Sequence, residues 1–248
     1  MVAGVSRSTF TFGASVQGPL HRSERRPNED AWMRDSGAFG TLVVACDGMG
    51  SKPHARTGAR AACQAVKEAV RRWAQVDGAP VSDLTDLIEV YWRLRIHPLE
   101  PSSAATTCLF ALRSPDQTWL AGGIGDGLVI VRTGTELQTI VGRRDGGFSN
   151  ETTGLGITRG RDAWELVQFA PTSEDRMALL ATDGVSDDLR PETLGGLCDW
   201  LSRTFEGLES RQRWRRLTTE LTNWPTPHHL DDKTLAVMRT SAVGVQRT

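Results

Sequence analysis

The residues with the clearest chemical potential are aspartates that close apolar runs. In LVVACDGMG, Asp47 follows the run 41–46, and in ALLATDGVSDD, Asp183 follows the run 177–182. An Asp-Gly pair alone is an ordinary turn, and the chain has three more, at Asp77, Asp126 and Asp145. The surrounding set carries more weight. Asn28-Glu29-Asp30 precedes the first run, Gly125-Asp126-Gly127 separates two β-rich segments, and Asp231-Asp232 stands just before the last apolar run. Asp30 has Arg34 four residues on and Asp187 has Arg190 three on, whereas Asp47, Asp126, Asp183 and Asp231 have no cation at those spacings. If the strands share central sheets, these carboxylates converge at one end, where they repel one another and titrate upward. A hard divalent cation such as Mg²⁺ or Mn²⁺ relieves that conflict in an all-oxygen site completed by carbonyls and water. No His-rich or Cys-rich constellation competes for a structural zinc.

The elements that must position these groups are legible as changes of period. The run 41–46 is continuous and β-branched in its middle, as expected of a buried strand. From 55 to 75 the apolar residues recur at spacings of three and four, which predicts a helix. A second helix is expected over 82–96, with Ser82 as its N-cap and Pro98 after its end. Segments 104–113, 118–124, 128–134 and 136–141 read as strands of an antiparallel meander. The residues 142–160 are polar and Gly-rich, a long loop of the kind that is often functional. Two further strands are expected at 164–170 and 177–184, a helical region at 191–224, and a closing strand at 234–239. A first strand at about 8–16 is loosely patterned, and 22–30, with Pro27, reads as a loop. This order predicts an α+β fold: a four-layer α-β-β-α sandwich, two antiparallel sheets flanked by helices.

The bulk numbers bound the function. The chain has 248 residues, 39% apolar and 24% charged, with a formal net charge of −1. That suits one domain over 1–248 with a sizeable core and excludes a global basic field for nucleic acid. The basic stretch Arg211–Arg216 reads as a solvated helix face with Trp214 turned inward. Cysteines 46, 63, 108 and 198 form no C-x-x-C pair and read as buried free thiols in a reducing compartment. The N-terminal residues lack an apolar stretch of signal-peptide length, and no segment approaches the roughly 20 apolar residues of a membrane span. A cytoplasmic location without membrane or nucleic-acid partners is expected.

Taken in order, Arg25-x-x-Asn28-Glu29-Asp30, Val44-Ala45-Cys46-Asp47-Gly48-Met49-Gly50, Gly125-Asp126-Gly127, Leu180-Ala181-Thr182-Asp183-Gly184-Val185-x-Asp187 and Asp231-Asp232-x-Thr234 resemble the motif series of the bacterial type 2C metal-dependent serine/threonine protein phosphatases. The resemblance spans roughly residues 10–240. It implies a centre of two, or with a weaker site three, Mn²⁺ or Mg²⁺ ions. Asp47 would bridge two ions, the Gly48 carbonyl would bind one, and Asp183 and Asp231 would complete the other. Glu29 would act through bound water, Asp30 would orient the attacking water, and Arg25 would bind the phosphate. Asp126, with Asp183, would serve the third ion, and the loop at about 142–160 would be a flap over the substrate.

The implied reaction is hydrolysis of phosphoserine or phosphothreonine by metal-activated water. Two ions about 3.5–4 Å apart would activate the water and hold the attacking and leaving oxygens in line. A phosphoprotein would be the substrate and a Ser/Thr kinase the cognate partner. Two other readings stay open: a catalytically inactive binding module on the same fold, and a phosphoesterase of small molecules. A nucleotide site at glycines 122–127 fails G-x-G-x-x-G, because Leu128 takes the last position and no helix pattern follows.

The pattern departs from the family in three places. Ser51 stands where a second Gly is usual, with Lys52-Pro53-His54 after it. Gly127-Leu128 replaces a usual Ser-Arg after Asp126, and Asp232 replaces a common Asn. His54 reads as a solvent-facing loop residue, with a general-acid role as the alternative. For His228 and His229, upstream of Asp231, a surface turn is the reading and metal contact the alternative.

Overall fold

The computed structural model describes residues 7–141, 153–225 and 230–242. Ten strands form two five-stranded sheets in which every neighbouring pair is antiparallel. The first sheet has the order β1 (Arg7–Val16), β10 (Lys233–Ala242), β9 (Arg176–Ala181), β6 (Leu128–Thr133), β7 (Glu136–Val141). The second has β2 (Ala31–Gly37), β3 (Gly40–Cys46), β4 (Cys108–Arg113), β5 (Trp119–Ile124), β8 (Glu165–Phe169).

The continuous apolar runs follow from burial on both faces. In β3, Val43 and Ala45 turn toward the other sheet, packing in one cluster with Leu109, Val129, Ala178, Leu180, Ala236 and Met238. Their neighbours Leu42, Val44 and Cys46 face α2 (Ala55–Trp73) and α3 (Val81–Ile96), meeting Ala62, Val66, Ile88 and Trp92. On the opposite side, Phe12, Ile130, Leu179 and Val237 meet α5 (Leu194–Phe205) and α6 (Ser210–Thr222) through Leu201, Phe205, Leu217 and Leu221. The expected α-β-β-α layering is therefore present, and each layer is held by apolar burial worth roughly 25 cal/mol per Å².

The structure corrects several local expectations. The stretch from 104 to 141 is not one meander. β4 and β5 pair in the second sheet, β6 and β7 pair in the first, and the chain changes sheet at Gly125-Asp126-Gly127. Gly125 adopts φ +117°, where a Cβ would also meet Thr107 at 2.6 Å, so the crossover needs glycine there. β2 was not anticipated, because all of its residues keep some solvent contact and its alternation is blurred. Residues 22 and 23 belong to a short helix, α1 (Pro19–Ser23), rather than to a loop. Ser82 is not the cap of α3; Pro80 holds that place, and the Ser82 carbonyl accepts a hydrogen bond from Thr85 at 2.8 Å. Trp214 is half exposed rather than turned inward. All four cysteines are free and buried, as expected. No described helix is long and apolar enough to cross a membrane.

Candidate metal centre

The ends of β3, β9 and β10 bring Asp47, Asp183 and Asp231 to one end of the sandwich. Asp47 leaves β3 half-buried, with its backbone clamped by the residues just before β4. Its N–H donates to Thr107 Oγ1 at 2.9 Å, and its carbonyl accepts from Thr107 N–H at 2.8 Å and Thr106 Oγ1 at 2.7 Å. Thr106 also pairs with Leu155, in both directions at 2.9 and 3.1 Å, which ties the described end of the 142–160 segment to the same clamp. Residues 142–152 of that segment lie outside the described residues, as do His228 and His229. Gly48 is buried in a bridge to Thr106, and no hydrogen bond is donated to its carbonyl among the described residues.

Asp183 opens a short helix, α4 (Asp183–Ser186). Thr182 before it is fully buried and acts as a hub. Its hydroxyl donates to Asp30 Oδ2 at 2.8 Å and accepts from Thr234 N–H at 3.0 Å, which ties β9, β10 and the 28–30 segment together. Neither Thr182 nor Thr106–Thr107 carries a sequence signal beyond a place beside a strand end, and all three were missed.

The electrostatics are those of crowded carboxylates. Burial, opposed by the Thr182 hydroxyl and reinforced by Asp232 and Asp183, pushes the Asp30 carboxyl up to about 8. Asp47 is driven well above the usual range, first by desolvation and then by Asp30, Asp183 and Asp231. Asp183 is raised by desolvation and by Asp126 and Asp231, and its buried Oδ1 has no hydrogen-bond partner among the described residues. Asp126 sits in the sheet crossover with much of its surface exposed. It still titrates upward, through partial desolvation and the nearby Asp187 carboxylate. An orphaned acidic oxygen among mutually raised carboxylates is a donor set short of positive charge, and it fits hard divalent cations.

Two cations and one imidazole that the sequence did not assign to the cluster also meet it. Lys233 is buried, and its ammonium donates to the Asp231 carbonyl at 3.1 Å. Desolvation lowers its pKa against the pull of Asp188, Asp231, Asp232 and Asp30. Arg26 bonds Glu29 Oε2 at 2.9 Å and the Gly50 carbonyl at 2.7 Å. Arg25 lies exposed at the rim with φ +57°. The arginine that turns inward is therefore Arg26. His21 is the third, 3% exposed, with Nδ1 2.7 Å from Asp232 Oδ2. His54 is exposed before α2, as expected.

Asp232 adds charge beside Asp30 and is also an organiser. Its Oδ1 accepts from Gly18 N–H at 2.7 Å, and its Oδ2 accepts from Glu29 N–H at 2.6 Å and from His21. Asp232→Ala strands these buried donors, and a loss of about 2 kcal/mol in unfolding free energy is expected. Urea denaturation of the metal-free protein measures it; an unchanged midpoint would mean that the contacts carry no net stability.

Residues 17–224 match the protein phosphatase 2C family. The chain belongs to that family, and with it to the phosphatase class of hydrolases. Three of the solved structures similar to this family member serve as examples. The catalytic domain of the serine/threonine phosphatase PstP in complex with two manganese ions is 20% identical, with a TM-score of 0.62 over 95% of this chain and 99% of that one. The Mycobacterium tuberculosis serine/threonine phosphatase PstP/Ppp is 20% identical, with a TM-score of 0.59 over 93% and 97%. RsbX in complex with magnesium is 12% identical, with a TM-score of 0.59 over 94% and 96%. At these identities the likeness establishes the shared fold. No curated protein matches the chain by sequence.

Proposed function

We propose that this chain, as a single catalytic unit, is a metal-dependent protein serine/threonine phosphatase using two or three Mn²⁺ or Mg²⁺ ions. The observation that carries the reading is the crowding of Asp30, Asp47, Asp183 and Asp231, with buried Asp183 Oδ1 left without a partner among the described residues. Asp47, Asp183, Asp231 and the Gly48 carbonyl would hold the principal ions, with Glu29 beside them and Asp126 serving a third. Bound divalent ions supply Lewis-acid activation of water and neutralise phosphoryl charge.

The protein's own groups do the rest. Thr182 fixes Asp30 so that its other oxygen can orient the attacking water. Arg25, exposed at the rim, can fold onto the phosphate oxygens as a charge-assisted donor. The Thr106–Thr107 clamp prevents Asp47 from swinging away from its neighbours. The substrate is a phosphoserine or phosphothreonine protein, with a Ser/Thr kinase as the opposing enzyme, in the cytoplasm. The manganese and magnesium complexes of the related folds support the choice of ion.

The test is hydrolysis of p-nitrophenyl phosphate and of a phosphothreonine peptide with Mn²⁺, Mg²⁺ or EDTA. Turnover should require the metal. Asp183→Ala and Asp231→Ala should each remove most of it, while Asp188→Ala should retain most. Equal losses in all three variants would mean that the ligands are misassigned. Hydrolysis of p-nitrophenyl phosphate without any of the peptide would favour a small-molecule phosphoesterase. A folded protein inactive with every metal would be a binding module.

A further inference from the structure

The tightest group of metal-ligating side chains among the described residues is not the aspartate trio. It is His21, Asp231 and Asp232, each offering an atom within 4.8 Å of the others. The chain builds this group deliberately. Gly18 lies so close to Asp231 that a Cβ would sit 2.3 Å from its backbone carbon and oxygen. Leu20 N–H donates to the Leu230 carbonyl at 2.9 Å. Together with the Gly18 bond to Asp232, these contacts staple α1 to the start of β10 and carry His21 into the acidic cluster.

The roles within the group follow from counting donors. Asp232 Oδ1 accepts one N–H group and Oδ2 accepts two, so most of the acceptor capacity of Asp232 goes to orienting its neighbours. Because its partner is a carboxylate acceptor, His21 places a proton on Nδ1, and in the neutral ring that leaves a lone pair on Nε2. Nε2 makes no hydrogen bond among the described residues; its nearest acidic atoms are Glu29 Oε2 at 3.9 Å and Asp231 Oδ1 at 4.0 Å. Those separations are too long for hydrogen bonds. They fall just inside the roughly 4.2 Å that two ligands with bonds of about 2.1 Å can span across one ion. The flanking oxygens are themselves held from outside, Asp231 Oδ1 by Asp232 N–H at 2.8 Å and Glu29 Oε2 by Arg26 at 2.9 Å. A buried imidazole fixed by a carboxylate at one nitrogen and presenting the other to acidic oxygens is the arrangement of metal-ligating histidines.

We propose that His21 Nε2 is a nitrogen ligand of the ion held by Asp231, so that this centre carries a mixed nitrogen–oxygen donor set. The proposal rests on the metal-centre reading above. Its consequence is selectivity: imidazole favours Mn²⁺ and later transition ions over Mg²⁺, which prefers oxygen alone.

The decisive measurement is electron spin-echo envelope modulation of the Mn²⁺-loaded full chain, grown with natural or ¹⁵N-labelled histidine. A directly bound imidazole gives ¹⁴N modulation that changes with the label. The chain has five histidines. Modulation that persists in His54→Ala, His97→Ala, His228→Ala and His229→Ala assigns the ligand to His21 without requiring its own variant to fold. In His21→Gln the modulation should vanish and Mn²⁺ affinity by calorimetry should fall about 10–100-fold, with Mg²⁺ affinity changed far less. Tight Mn²⁺ binding without histidine ¹⁴N modulation in the unsubstituted chain overturns the proposal and leaves the metal centre standing. So does modulation that persists in His21→Gln. Failure to bind Mn²⁺ at all overturns the metal centre itself.

Discussion

Asp47→Ala lowers metal-dependent hydrolysis of p-nitrophenyl phosphate by on the order of 10³-fold, while the metal-free variant unfolds at the same temperature as the parent or higher. The two halves of this expectation have one cause. Removing an outer partner of a metal ligand costs about 10–100-fold, and Asp47 lies further in. Its carboxyl is raised well above the usual range by burial and by Asp30, Asp183 and Asp231, and its backbone is locked by Thr106 and Thr107. Without an ion, Asp47 is costly to bury beside Asp30, Asp183 and Asp231, whether it repels them or takes up a proton, so alanine leaves the fold no less stable. With an ion, the parent gains stability by mass action, about 2.7 kcal/mol at a hundred times Kd, and the variant should gain far less. Kinetics and thermal denaturation with and without Mn²⁺ separate the halves. A variant that loses activity because it is unfolded without metal would contradict this account.

Without metal, stability should fall as pH rises from about 4 to about 8. Asp30 titrates near 8 in the folded chain against 3.8 ordinarily, so between those values the folded state keeps a proton that the unfolded state has released. Its contribution is full below the lower value and lost as pH rises through the upper one. Asp47 and Asp183 shift in the same direction. The combined loss is on the order of a few kcal/mol. Divalent cation should flatten or reverse the slope, because it favours the ionised carboxylates. The check is urea midpoints of EDTA-treated protein at pH 5 and pH 8.5, with and without Mn²⁺. Equal metal-free midpoints at the two pH values would refute the crowded-carboxylate account.

The sequence alone determined the strands that are buried on both faces and the helix α2, because hydrophobic period reports burial directly. It also determined the aspartates at the strand ends, because a carboxylate that stops an apolar run has few other reasons to stand there. The weak alternation of β2 hid that strand, and the crossover at Asp126 was hidden because strand pairing is a long-range choice that neighbouring residues do not encode. Only the tertiary structure decided what surrounds the acids. Asp232 reaches Gly18, His21 and Glu29 across more than two hundred residues of sequence. Thr182 reaches Asp30 in the same way, Lys233 folds back on Asp231, and Arg26 rather than Arg25 turns inward. The Asp232 and Thr182 contacts join segments that are distant along the chain, whereas Lys233 and Arg26 lie two and three residues from the groups they meet; the energy of all of them depends on distance and desolvation in the folded molecule. Local spacing finds the carboxylates; the closure of the two sheets decides which cations and hydroxyls meet them.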